Sequence, residues 1–170
     1  MFALHPQASY IAEFMADVTA PSWHKPAIVL VENDENDAFF VREALKKANI
    51  GNPLITFASA DAARQHVSAG TSKPPALFIL DINLDGGETG LDFLRWLRAQ
   101  PAPFGTTPAI VMTGSQDPHD RSSSVGLEAL CFLPKPVTAA ELGEAVQSLG
   151  FVVRTNALTG ALGFWILERY

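Results

Sequence analysis

The chain has 170 residues, a formal charge of −6 and a sequence pI of about 5.1, with 48% hydrophobic residues. That apolar share supports a packed core and excludes a disordered chain. The acidic balance, with no basic run, speaks against a nucleic-acid surface or a DNA-binding output domain.

Residues 1–26 read as an N-terminal extension and linker. Ile11, Phe14, Met15 and Val18 fall at helical spacing, and the stretch from Thr19 carries Pro21 and Pro26, which block helix and inner strand alike. His5, Pro6, Glu13 and Asp17, without a basic n-region, do not read as a signal peptide. No stretch is long and apolar enough to span a bilayer, so a cytoplasmic chain is expected.

From residue 27 an alternation of strands and helices begins. Ala27-Ile28-Val29-Leu30-Val31 is a continuous apolar run, the mark of a strand buried on both faces. Residues 36–48 read as a helix with Phe39, Phe40, Val41, Ala44, Leu45 and Ala48 on its inner side. Leu54 to Phe57 reads as the second strand, and Asp61 to Ala69 as a helix behind an N-cap at Ser59.

The third strand, Ala76 to Leu80, ends at Asp81; a Gly-rich loop then leads to a helix from Gly90 to Ala99. Ala109 to Met112 is the fourth strand, ending at Thr113, and a short polar helix is expected between Pro118 and Leu127. The fifth strand spans 130–133, and Thr138 caps a helix over 139–149. Cys131, the single cysteine, lies in an apolar run and reads as a buried small hydrophobe, which suits a reducing compartment.

Residues 151–170 fall outside this repeat. Phe151-Val152-Val153 reads as extended and Ala161 to Leu167 as helical, and the run Phe164 to Leu167 is apolar enough to pack on the domain or against a second copy. The expected organisation is therefore an N-terminal extension over 1–26, a domain over 27–150 and a C-terminal packing or dimerisation element over 151–170.

Five strands alternating with helices imply an α/β fold, a parallel sheet covered on both faces. In such a sheet chemistry gathers at the carboxyl ends of the strands. Those positions are Glu32, Asn33 and Asp34, then Asp81 and Asn83, then Thr113, then Lys135. Carboxylate and carbonyl oxygens suit a hard divalent cation such as Mg²⁺. A lysine ammonium and a threonine hydroxyl can meet phosphoryl oxygens, so the set describes a pocket where an aspartate attacks a phosphoryl group. The four histidines show no metal-ligand spacing.

Val31-Glu32-Asn33-Asp34, Leu80-Asp81-Ile82-Asn83, Met112-Thr113-Gly114 and Phe132-Leu133-Pro134-Lys135-Pro136 together resemble the receiver domains of two-component response regulators. The resemblance covers about residues 27–150. It implies a five-stranded parallel sheet of order 2-1-3-4-5 with helices on both faces, the flavodoxin-like receiver fold. It implies Asp81 as phosphoacceptor from a sensor histidine kinase or phosphotransfer protein. It further implies a Mg²⁺ site of Glu32, Asn33, Asp81 and the backbone carbonyl of Asn83, and Lys135 pairing with the acyl phosphate. Thr113 and Phe132 occupy the two switch positions, and Lys135-Pro136 is an expected cis peptide. The first motif is similar to that of stand-alone receivers paired with phytochrome-type kinases, and a homodimer through the C-terminal element is expected.

Two departures stand out. Asn33 replaces the usual aspartate and removes one charge from the metal site, and the loop Leu84 to Gly90 is one residue longer than the common form. Three other readings compete: a receiver fold that is never phosphorylated, supported by Asn33; a haloacid-dehalogenase-type phosphohydrolase; and an FMN binder. The second needs an aspartate where Asn83 stands, and the third needs a phosphate cradle where Glu32 and Asp34 repel anions.

Overall fold

The computed structural model describes residues 26–70, 73–85, 87–114 and 131–148, together with the backbone of 153–155 and 162–164. The expected helices before residue 26 and over 118–127 lie outside these residues.

Each apolar run becomes a strand: β1 (Ile28–Val31), β2 (Leu54–Phe57), β3 (Leu77–Asp81), β4 (Ala109–Thr113) and β5 (Cys131–Pro134). All pair in parallel in the order β2-β1-β3-β4-β5. The helices are α1 (Glu35–Lys47), α2 (Ala60–Ser68), α3 (Gly90–Arg98) and α4 (Ala139–Ser148).

Side chains alternate across a strand, so one sequence feeds two cores. Ile28, Leu30, Leu77, Ile79, Ile110 and Met112 point to one face and pack with Ala38, Val41, Ala44 and Leu45 of α1 and Leu142, Ala145 and Val146 of α4. Val29, Val31, Phe78, Leu80, Ala109 and Val111 point to the other, against Ala63 and Val67 of α2 and Phe93, Leu94 and Leu97 of α3. Strands covered on both sides need apolar residues throughout, which is why β1 and β3 carry no alternation.

The helix starts are capped by side chains. Asp34 Oδ1 accepts the Asn36 and Asp37 N–H groups at 2.7 and 3.2 Å, and Ser59 accepts from Ala62. Thr89 and Asp92 form a reciprocal capping box at α3, and Thr138 and Glu141 bond in the same way before α4. Each of these four α-helices thus begins beside the carboxyl edge of the sheet, where the candidate residues collect.

Two expectations are corrected. Phe39 and Phe40 do not face the core; they are 52% and 47% exposed. The inward stripe of α1 is Ala38, Val41, Ala44 and Leu45, at the three- and four-residue spacing of one helix face, with Ala48 partly buried in the same core. Within the stretch expected to be helical from 161 to 167, Leu162–Phe164 is instead a strand, β7, antiparallel to β6 (Val153–Thr155). Gly160 and Gly163 weaken helix there, while the pairing satisfies the backbone of both segments. Cys131 is half-buried against the α1–α4 core.

Candidate functional site

The strand ends place the pocket. The Glu32 N–H donates to the Phe57 carbonyl at 2.9 Å, Ile82 N–H to Met112 at 3.1 Å and Lys135 N–H to Thr113 at 2.9 Å. These bonds carry the sheet register one residue past β1, β3 and β5, so Glu32, Asp81 and Lys135 meet from three separated segments. Both the Lys135-Pro136 and Ala102-Pro103 peptides are cis.

Lys135 is the centre of the cluster. Its Nζ lies 2.7 Å from Glu32 Oε2, 2.9 Å from Asp81 Oδ2 and 2.9 Å from Asp37 Oδ2. Glu32 and Asp81 are almost fully buried, with side-chain exposures of 0% and 3%, whereas Asp37 is 30% exposed and stands at the rim. Glu32 is held at its other oxygen too, where Oε1 accepts the Asp34 N–H at 2.9 Å.

Burial disfavours an ionised carboxylate and raises the Glu32 pKa, while hydrogen bonds from Lys135 and the Asp34 N–H act against that rise. Burial also works against the Lys135 charge, but hydrogen bonds to Glu32, Asp37 and Asp81 outweigh it and hold its pKa above the ordinary value. Asp34 is kept below the usual carboxylate range by the N–H groups of Asp37 and Asn36.

Asp81 uses one oxygen on Lys135, and its other, Oδ1, is buried without a hydrogen-bond partner among the described residues. Buried polar atoms are rarely left so, and an unpaired carboxylate oxygen is a ready electron-pair donor to a cation or an electrophilic phosphorus. Oxygen donors for a hard cation are therefore present at the site. Among the described residues, however, no three His, Cys, Asp or Glu side chains stand in a metal-holding arrangement. The three carboxylates surround an ammonium instead, and Asn33 occupies the position where a further carboxylate would stand.

The other expected residues lie around this centre. Asn33 is half-buried in the turn between β1 and α1, and Asn83 is exposed in the loop after β3. Thr113, at the end of β4, and Phe132, in β5, are half-buried, with Phe132 packed against the α2–α3 core. Asp34 is exposed and caps α1 through Oδ1.

Asp37 was not among the residues expected from the sequence, because it follows no strand directly. The available signal is the cap: Asp34 starts α1 at the sheet's carboxyl edge, so an acidic residue in the first turn lies beside the pocket.

Comparison with known proteins shows the family and the fold. Residues 28–147 match the family described as response regulator receiver domain, and the chain belongs to that family. It is 30% identical over 139 residues to the response regulator Rcp1 of Synechocystis sp. (strain ATCC 27184 / PCC 6803 / Kazusa), covering 79% of this chain and 93% of Rcp1. The fold is similar to the bacteriophytochrome response regulator RtBRR, with a TM-score of 0.68, 25% identity, and coverage of 80% of this chain and 86% of that one. It is also similar to the Mn²⁺-bound form of Rcp1, with a TM-score of 0.60, 29% identity, and coverage of 73% and 91%.

Proposed function

We propose that the chain is a stand-alone response regulator that accepts a phosphoryl group on Asp81 from a sensor histidine kinase, of phytochrome type by its relatives' names. The observation that carries this reading is the Asp81 carboxylate, with one oxygen on Lys135 and the other buried and unpartnered.

In the transfer, an Asp81 oxygen forms a P–O bond as the P–N bond to the kinase histidine breaks, and the electron pair returns to the imidazole nitrogen. Lys135, already within 2.9 Å of Asp81, pairs with a phosphoryl oxygen. A divalent cation, Mg²⁺, would be held by Asp81, Asn33 and the Asn83 backbone carbonyl, with Glu32 contributing charge, and would neutralise the phosphoryl oxygens. Thr113 donates its hydroxyl to the acyl phosphate, and Phe132 on the neighbouring strand turns into the space released.

The signal then leaves through the surface around β5 and α4. On this reading 27–150 is the receiver unit, 1–26 is an extension, and 151–170 carries a homodimer contact. The chemistry is that of a cytoplasmic signalling protein rather than of an enzyme with a turned-over substrate.

Incubation with Mg²⁺ and acetyl phosphate, read by intact mass, tests the reading. A phosphate-sized gain in the natural chain that is absent in Asp81→Asn is the expected result. No gain at any Mg²⁺ concentration, with a cognate kinase also failing, would overturn it in favour of a receiver fold that works unphosphorylated.

A further inference from the structure

We propose that Asp37 supplies the carboxylate charge that Asn33 does not, so that the site keeps its attraction for a divalent cation although the strand-end aspartate is missing. This inference rests on the reading of Asp81 as a metal-assisted phosphoacceptor.

Glu32, Asp81 and Asp37 each lie within 2.9 Å of the single Lys135 ammonium. Three carboxylates against one ammonium leave two negative charges uncompensated, the number that a divalent cation neutralises. Without Asp37 the remaining pair of carboxylates would leave one, because Asn33 is neutral. In a partly buried pocket, a unit charge this close acts with little screening.

Position separates Asp37 from the other acidic groups nearby. Asp34 is exposed and engaged in capping α1. Glu32 accepts the Asp34 N–H at Oε1 and ion-pairs with Lys135 at Oε2, and its side chain is fully buried away from the rim. Asp37 sits on the first turn of α1 at the pocket rim, receives the Lys135 ammonium as a hydrogen-bond donor, and is the most exposed of the three carboxylates.

Its action is therefore indirect. Asp37 draws on the Lys135 charge that would otherwise fall wholly on Glu32 and Asp81, and so leaves the Asp81 carboxylate more negative towards a cation. Asp37 is a positioning residue in this scheme, and the unpartnered Asp81 Oδ1 is the atom it serves.

The test is calorimetric titration of the full chain with Mg²⁺, without any phosphodonor. Asp37→Asn should weaken Mg²⁺ binding on the order of tenfold, and Asn33→Asp should tighten it to a similar degree. The double variant Asn33→Asp with Asp37→Asn should return to within about twofold of the natural chain, since the charge has only moved. Unchanged binding in Asp37→Asn, or no recovery in the double variant, would overturn the inference.

If Asp37→Asn loses its cooperative melt, Asp37→Ser takes its place: weaker Mg²⁺ binding supports the proposal and unchanged binding sinks it. A natural chain with no saturable Mg²⁺ heat, indistinguishable from Asp81→Asn, would instead overturn the metal-assisted reading itself, and this inference with it.

Discussion

A β-carbon placed on Gly90 would lie 1.9 Å from the carbonyl oxygen of Asp81. The first residue of α3 is therefore pressed against the backbone of the candidate phosphoacceptor, and the Gly90 N–H also donates to the Ile82 carbonyl at 3.0 Å. The obstacle is backbone, which cannot rotate away as a side chain would. Gly90→Ala should cost about 1–3 kcal/mol of stability, as overpacking does, and should slow acetyl phosphate labelling by shifting Asp81. Urea unfolding and intact mass check the two effects. Unchanged values in both would show that α3 yields freely.

Removing Lys135 leaves Glu32 and Asp81 buried without their counter-charge. Lys135→Ala should therefore destabilise the fold by about 3 kcal/mol at neutral pH, since breaking one partner of a buried pair strands the others. Burial already raises the Glu32 pKa, so in the folded state Glu32 takes up its proton before the unfolded chain does. Stability relative to the unfolded chain then rises as pH falls through the folded value towards about 4.5, and the deficit of Lys135→Ala should shrink over that window. Denaturant midpoints measured at pH 7 and pH 5 decide it: an equal deficit at both would count against the argument.

Arg64 on α2 ties the loop after β3 to α3. Its guanidinium pairs with Glu88, approaches Asp61 at 3.9 Å and lies 5.4 Å from the Trp96 ring centroid. Because the Arg64 and Glu88 side chains are each 28% exposed, the ion pair should be worth no more than about 1 kcal/mol. A double-mutant cycle of Arg64→Ala and Glu88→Gln measures that coupling. Zero coupling would mean that the contact with Trp96 accounts for what Arg64 contributes.

Hydrogen bonds from the Thr89 hydroxyl and backbone N–H hold Asp92 below the usual carboxylate range. A depressed carboxyl stabilises the fold above the ordinary value of 3.8 and loses that contribution as pH falls through its folded value. Asp92→Asn should therefore lie below the natural chain in thermal midpoint at pH 6, and the two should converge as pH falls below the ordinary value of 3.8 and through the folded one. The gap at pH 6 should be small, because the Asp92 side chain is 43% exposed. Parallel curves across the range would remove the capping box as a source of acid sensitivity.

The proposed homodimer is tested by sedimentation of the full chain and of a chain cut after Gly150. A dimer for the full chain and a monomer for the cut one are expected, and an unchanged dimer would show that residues 151–170 are not needed for it.

Much of this protein was legible along the chain because buried parallel strands must be apolar throughout. Ala27 to Val31 and Ala76 to Leu80 could be read as central strands for that reason, and their ends pointed to Glu32 and Asp81, as the end of the fifth strand pointed to Lys135. Cap residues are local too, so Ser59 and Thr138 marked their helices correctly. The inward face of α1 was harder: Phe39 and Phe40 adjoin Val41 in sequence, and residue hydrophobicity alone cannot tell which side of a helix meets the sheet. The segment from Ala161 to Leu167 failed similarly, because a short apolar run has no periodicity long enough to separate helix from strand.

By itself the sequence determined the alternation of elements, the parallel sheet and which residues stand at the strand ends, since these follow from local pattern and from the geometry of a covered sheet. Tertiary structure alone decided that Asp37 meets Lys135, 98 residues away, and that Gly90 rests on the Asp81 carbonyl. Contacts of that kind depend on how two helices are set down on one sheet edge, to within an ångström. No local propensity encodes a distance between segments that only the whole packed fold brings together.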